Sequence, residues 1–324
     1  MPTASTRQPI PFGRYRLLER LAIGGMAEVW LAEVPDQPGR RYAVKRLLPT
    51  LAEDPAFVTM FLDEARIGAQ LDHPGIVPVH DLGREGQGSF MAMDYLAGQD
   101  LRALLARLRH DGSRLPVALS TFVIAQAARA LDHAHRALGQ DGAPLQVVHR
   151  DLSPANVLLG YQGQVAVIDF GIAQAAFRAH REDAVLRGKF GYLSPEQVRG
   201  QPVDRRADVF SLGAVAHELL TGQRLFHGPS DLAVLERVRA AQVRPPSERN
   251  PAVPPALDAV VLRALSREPA DRFPWAADLA DALGPFADRA GRASLAQELA
   301  IRFPAELAEE RARGARAAGA GARR

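Results

Sequence analysis

The sequence predicts an α+β fold of two lobes: a small β-rich N-terminal lobe with one main helix, then a larger α-helical C-terminal lobe. Three observations carry this expectation. Up to about residue 96 the apolar residues run in short strand-like stretches punctuated by Gly- and Pro-rich turns. After Gly98 the pattern changes, and six segments in succession have a helical period. The chain is 324 residues long and 47% hydrophobic, enough for a sizeable buried core, and its 24% charge is ordinary for a globular protein.

Residues 1–13 hold three prolines and no periodicity, so they read as a flexible lead. Tyr15 to Leu21 reads as a strand that enters the Gly-rich turn Ile23-Gly24-Gly25-Met26-Ala27. Glu28 to Val34 resumes as a strand, Pro35 to Gly39 turns the chain, and Tyr42-Ala43-Val44-Lys45 begins a third strand. Ala56 to Leu71 is helical in period, with Phe57, Met60, Phe61, Ala65, Gly68 and Leu71 on one side, and His73-Pro74-Gly75 stops it. Two more strands follow, around Val77–Leu82 and Ser89–Tyr95. These elements make residues 14–96 the first lobe.

Leu101–Arg109, Pro116–Leu138, Asp204–Thr221, Ser230–Ala241, Pro255–Leu265 and Trp275–Phe286 read as helices of a second lobe over residues 97–286. A strand-and-loop region from Val147 to Pro195 interrupts them. This order of β-rich then α-rich sequence predicts two lobes around a cleft. Residues 287–324 read as a tail: one more amphipathic helix from Arg292 to Glu310, then a disordered Arg/Ala-rich end.

The absence of Cys excludes disulfides, Cys-based zinc sites and thiol catalysis. No stretch approaches ~18 uncharged apolar residues, and Met1–Ile10 lacks a signal-peptide core, so a cytoplasmic location is expected. The net charge is +3, but five arginines lie in the last fourteen residues, without which the chain is slightly acidic. A basic tail on an acidic body argues against nucleic acid as a partner. Of 40 basic residues only Lys45 and Lys189 are lysine. Coding bias toward arginine accounts for the imbalance; the two survivors mark places where a compact point charge suits better than a planar fork.

Singly, the motifs are weak. Gly24-Gly25 fits any tight hairpin, Glu64 fits a solvated helix face, and Asp169 fits a turn after a strand. Together they are specific. His149-Arg150-Asp151-Leu152-Ser153-Pro154-Ala155-Asn156 sets an acid and an amide in one loop. Asp169-Phe170-Gly171 follows the apolar strand Val165-Ala166-Val167-Ile168, and Ser194-Pro195-Glu196 comes next in order. From about residue 14 to 286, this set resembles the protein kinase signature, with bacterial serine/threonine kinases of the eukaryotic-like type the nearest in style.

The resemblance implies the bilobal protein kinase fold, ATP and Mg2+ as cofactors, and a protein substrate phosphorylated on Ser or Thr. It places Gly24 and Gly25 under the ATP phosphates, where the absence of a Cβ lets the backbone approach. Ile23, Met26 and Val29 complete the nucleotide contacts around that loop. Lys45 is implied to hold the α- and β-phosphates, with Glu64 fixing it. Asn156 and Asp169 are implied as the magnesium ligands, hard oxygens for a hard cation. Asp151 is implied to accept or orient the substrate hydroxyl proton. Ala43 and Leu158 would sandwich adenine, with Met93 at the back of its pocket. The backbones of Asp94 and Leu96 would hydrogen-bond adenine, and Asp100 would reach the ribose. Asp208 resembles the family's buried acid bracing the catalytic loop, and Glu196 with Arg272 its structural ion pair.

Four departures stand out. Ala22 and Ala27 occupy two usual glycine positions of the phosphate loop, predicting a stiffer turn. The usual catalytic-loop lysine is Ser153, and the usual threonine before the substrate-binding loop is Lys189. The family fold sets these two positions side by side, so a charge swap is expected, with Lys189 a catalytic cation; the plain alternative is an exposed loop lysine. Finally, Ile172 to Leu193 contains no Ser or Thr, so Glu182 and Asp183 are expected to supply Arg150 with the standing negative charge that a phosphate usually gives. The competing functions are a pseudokinase or nucleotide-binding scaffold, and a small-molecule kinase. Lys45, Glu64, Asp151, Asn156 and Asp169 are all present, and so is the substrate-binding segment Gly191–Glu196, which weighs against both. The tail from Arg292 is read as docking on the C-terminal lobe or on a regulatory partner.

Overall fold

In the computed structural model, the structure describes residues 8–37, 39–86, 88–170 and 189–321. The chain divides into two compact units, the smaller from residues up to 69, 77–96 and 305 onward, the larger from 70–76 and 97–304.

The smaller unit is built on a six-stranded antiparallel sheet. Its strands are β1 (Ile10–Phe12), β2 (Tyr15–Ile23), β3 (Ala27–Glu33), β4 (Arg41–Leu47), β5 (Val79–Glu85) and β6 (Gly88–Asp94), in the order β1-β2-β3-β4-β6-β5. The two-residue period of each strand sorts side chains to two faces. Tyr42 and Val44 of β4 join Phe12, Tyr15, Leu17, Phe90 and Ala92 in one cluster. Leu47, Ala27 and Met91 join Val58, Phe61 and Ala65 of helix α1 (Pro55–Gly68) in the other. Lys45 has the parity of Leu47 and pairs in register with Met91, so it lies on the α1 side. Pro55 opens α1, and Asp54 caps it by accepting from the Ala56 N–H at 2.8 Å.

The larger unit holds a three-stranded sheet of β7 (Gly98–Asp100), β8 (Val157–Gly160) and β9 (Val165–Val167). A Cβ at Gly98 would come within 2.0 Å of the Leu159 carbonyl oxygen, so this pairing requires glycine. The helices follow as α2 (Leu101–His110), α3 (Val117–His135), α4 (Pro195–Arg199), α5 (Arg206–Thr221), α6 (Asp231–Ala240), α7 (Pro255–Ala264), α8 (Ala276–Leu283) and α9 (Gly291–Arg302). Every residue of α5 from Ala207 to Thr221 is buried, which makes it the centre of this unit. Residues 70–76 join the unit through the Gly75 carbonyl, which accepts from the Val167 N–H at 2.8 Å.

Two ends of the chain differ from the sequence reading. The expected flexible lead contains strand β1, whose Phe12 is buried edge-to-face on Phe90 at 5.1 Å. The tail is two helices rather than one. Pro304 follows the buried Phe303, whose backbone has left the helical region, and a proline lacks the N–H needed to continue α9. Helix α10 (Pro304–Gly321) then extends past the expected end at Glu310, through Ala and Arg residues of high helix propensity.

The two tail helices also belong to different units. Leu295 and Leu299 of α9 are buried in the larger unit, where Arg302 holds Asp111 at 2.9 Å. Glu310 of α10 is buried in the smaller unit, taking hydrogen bonds from Arg41 and, at 2.8 Å, the Tyr95 hydroxyl. Arg313 adds a 2.7 Å ion pair to Glu19. The expected docking of the tail on the C-terminal lobe therefore holds for α9 and is corrected for α10. No helix among the described residues is long and apolar enough to cross a membrane.

Candidate active site

In the smaller unit, the turn between β2 and β3 is closed by the Gly24 N–H donating to the Ala27 carbonyl at 2.8 Å. The Leu48 N–H donates to the Met26 carbonyl at 2.9 Å and ties the turn to the end of β4. No residue from Ala22 to Ala27 has a positive φ, so the two alanines at expected glycine positions sit there without strain. A Cβ at Gly24 would meet only the Ala27 carbonyl, at an ordinary 3.4 Å. The fold itself does not demand glycine at that position. Gly24, Gly25 and Ile23 are exposed, and Met26 and Val29 are half-buried.

Lys45 and Glu64 meet inside this unit. The ammonium is 2.9 Å from Glu64 Oε1, and the two residues are 8% and 5% exposed. Glu64 is therefore not a solvated helix residue; a buried charge is kept there by its partner. Val29 stands opposite Lys45 across β3 and β4, and Ala43 stands opposite Met93 across β4 and β6. Asp94, at the end of β6, donates its N–H to the Pro78 carbonyl at 3.1 Å, and its half-exposed carboxylate meets His80 at 2.8 Å. Leu96 is half-buried just beyond.

In the larger unit, the loop from His149 to Asn156 hangs on one buried carboxylate. Asp208, at the start of α5, is 0% exposed. Its Oδ2 accepts from the His149 N–H at 2.8 Å and meets His135 Nε2 at 2.8 Å, and its Oδ1 accepts from the Arg150 N–H at 2.8 Å. Burial alone would push the Asp208 carboxyl up. The hydrogen bond to His135, the neighbouring imidazoles and the Arg150 N–H outweigh burial and hold it below the usual carboxylate range. His149 is a packing residue, with its ring 5.0 Å from Phe170 and its Nε2 2.9 Å from the Ile168 carbonyl.

Arg150, with φ 65°, and Asp169, with φ 64°, both adopt the left-handed region. For side chains other than glycine this is uncommon, and such strain concentrates where function fixes geometry. Asp151 follows Arg150 and is a quarter exposed. Two side chains converge on it. Asn156 Nδ2 donates to the Asp151 carbonyl at 2.8 Å and more weakly to its Oδ2 at 3.3 Å, and Lys189 Nζ donates to the same Oδ2 at 2.6 Å. The Ile168 N–H bonds the Asn156 carbonyl at 3.1 Å, which places Asp169 immediately beyond the loop. Asp100 caps α2, accepting from the Ala103 N–H at 2.7 Å, and Leu158 pairs with Asp100 across β7 and β8.

With its amide nitrogen turned to Asp151, Asn156 keeps Oδ1 as the atom to face a cation. Among the described residues no cluster of three His, Asp or Glu is placed to hold a metal. An oxygen from Asn156 and one from Asp169 fit magnesium, which takes few protein ligands and completes its shell with phosphate and water. Further from the site, Arg272 and Glu196 form a buried bidentate pair at 2.7 Å in both contacts. The sequence reading missed His135, since a lone histidine at a helix end carries no signal of its own. Glu182 and Asp183 lie outside the described residues.

Residues 15–282 match the family model described as "Protein kinase domain". The chain is similar to a Myxococcus xanthus protein named tyrosine-protein kinase MasK, 43% identical over 93% of this chain and 47% of that protein. It is also similar to serine/threonine-protein kinase PknB of Mycolicibacterium smegmatis, 41% identical over 82% of this chain and 42% of that one. It thus spans about half the length of these relatives. Among solved structures, the PknI kinase domain of Mycobacterium tuberculosis aligns with a TM-score of 0.65 at 32% identity, over 87% of this chain and 100% of that domain.

Proposed function

The chain belongs to the protein kinase family and has its fold, and from that premise we propose that it transfers the γ-phosphate of ATP to Ser and Thr hydroxyls of protein substrates. The observation that carries this is Asp151, held by Asn156 and Lys189 on a loop that Asp208 braces. Nothing favours a scaffold without chemistry. Lys45 and Glu64 are paired in the geometry a phosphate-holding lysine needs.

In the reaction, the substrate hydroxyl oxygen bonds to the γ-phosphorus. The bond from phosphorus to the β,γ-bridging oxygen breaks, and ADP leaves. The hydroxyl proton passes to the Asp151 carboxylate. Lys45 fixes the α- and β-phosphates against the leaving direction. In the smaller unit, Ile23, Val29, Ala43 and Met93 are proposed to give apolar contacts to adenine, with Asp94 and Leu96 contributing backbone groups; in the larger unit, Leu158 is proposed for adenine and the Asp100 carboxylate for the ribose. Gly24 and Gly25 leave the turn open to phosphate, consistent with a glycine that the fold does not itself require. Asn156 and Asp169 would hold magnesium, which would supply neutralisation of phosphate charge.

The Ser/Thr assignment rests on the PknB relative, and the MasK relative favours tyrosine as the second reading. Transfer from labelled Mg-ATP to the protein and to a basic test protein, followed by phosphoamino-acid separation, decides between them. Label on Ser and Thr, lost in Lys45→Met, is the expected result. Label on Tyr alone establishes the second reading, and nucleotide binding without transfer refutes both.

A further inference from the structure

Both lysines of this arginine-rich chain end on a carboxylate of the site: Lys45 on Glu64 and Lys189 on Asp151. Next to Asp151 the catalytic loop carries an uncharged residue. Ser153 is 3% exposed, and among the described residues its Oγ has no hydrogen-bond partner. It supplies no cation to a step whose transition state spreads negative charge over the transferring phosphoryl oxygens.

We propose that Lys189 is a catalytic residue, sharing its ammonium between Asp151 and the transferring phosphoryl group. The inference rests on the kinase reading above. An ammonium has three N–H donors. Among the described residues the hydrogen-bond partner of Lys189 is Asp151, which uses one of them. The side chain is 35% exposed, so the other donors are open to an incoming phosphate.

The backbone under Lys189 is anchored. It leads the short 3-10 turn Phe190–Tyr192, whose residues are buried. The Tyr192 N–H bonds the Lys189 carbonyl at 3.0 Å, and Ser211 Oγ holds the Tyr192 carbonyl at 2.7 Å. A charge held in advance, where charge will develop, stabilises the transition state without reorganisation. The choice of lysine has a chemical reason as well. An arginine fork would grip both oxygens of Asp151 and occupy the proton acceptor, whereas an ammonium binds one oxygen and stays available. Lys189 neither gains nor loses a proton, and the bonds made and broken are those of the transfer itself.

Two lysines give two side-chain signals in protein labelled with [ε-13C]lysine, assigned with Lys45→Arg and Lys189→Arg. Mg-ADP is expected to move the Lys45 signal alone, and Mg with a nonhydrolysable ATP analogue to move the Lys189 signal too. A Lys189 signal that ignores the γ-phosphate overturns the proposal, independently of how any variant folds. In kinetics, Lys189→Thr is expected to lower kcat about 10²–10³-fold with KM for ATP little changed. The reciprocal double variant, Lys189→Thr with Ser153→Lys, is expected to recover most of that loss. Rescue supports a cation role, which a merely structural lysine does not produce. A folded Lys189→Thr with near-wild-type kcat, or a folded double variant no better than the single one, overturns it. If the wild type transfers no phosphate, the kinase reading fails on its own, and the lysine signals still report whether Lys189 meets the γ-phosphate.

Discussion

Asp208 and Asp151 serve the same loop, yet their surroundings are opposite. Asp208 is fully buried, and both its oxygens are taken by His135 and by the N–H groups of His149 and Arg150. Asp151 is a quarter exposed, with its carboxylate held through one oxygen by a lysine and, weakly, an amide. A carboxylate sealed among fixed donors cannot receive a proton or meet a substrate; it can only hold what donates to it. A carboxylate with exchangeable partners and a face to solvent can do chemistry. On the proposed function, the carboxylate that holds the loop and the carboxylate that acts from it are thus separate residues, Asp208 and Asp151.

The comparison is tested hardest by removing the holding group. Asp208→Leu leaves three buried donors without an acceptor, and a loss of about 3–5 kcal/mol in urea unfolding is expected. An unchanged midpoint would mean that the loop is braced elsewhere. A smaller effect is expected from one donor: His135→Leu should cost about 1.5–3 kcal/mol, the range for a hydrogen bond to a charged group. The smallest effect is the response to acid. Burial depresses the pKa of His217, and burial followed by the nearby His133 depresses that of His73. A depressed folded pKa means that the unfolded chain binds the extra proton first. The stability from both histidines is present above about pH 6.5 and is lost as pH falls below it. Asp208 adds a second loss further down, below the ordinary range of aspartate near 3.8. Urea midpoints from pH 8 to 4 should therefore be flat and then decline, and His217→Gln should soften the upper part of the decline.

The residues proposed to act drew attention in the sequence because several short patterns, each weak alone, occur together and in order. Asp151 and Asn156 share one loop, Asp169 ends an apolar strand, and Lys45 stands on a strand of clear period. Glu64 was ambiguous alone, since its burial depends on packing α1 against the sheet. The holding residues were less legible. Asp208 stood out only through the family resemblance, and His135 not at all, because each reaches its partner across a long stretch of chain. The ends were hardest. Pro11 discourages a strand assignment, but an edge strand tolerates proline, and β1 is at the edge of its sheet. Pro304 did carry a stop signal, which the helical period on either side concealed. The placement of Glu310 beside Arg41 joins positions 269 residues apart, and no local pattern announces such a contact.

The separation of roles meets its most direct test in Asp151→Asn, with single-turnover phosphate transfer and urea unfolding measured on the same preparation. The expected result is a transfer rate lowered about 10²–10⁴-fold, with an unfolding midpoint equal to that of the wild type. Transfer that persists at the wild-type rate, or a midpoint that falls together with the rate, would contradict the assignment of Asp151 as the residue that acts.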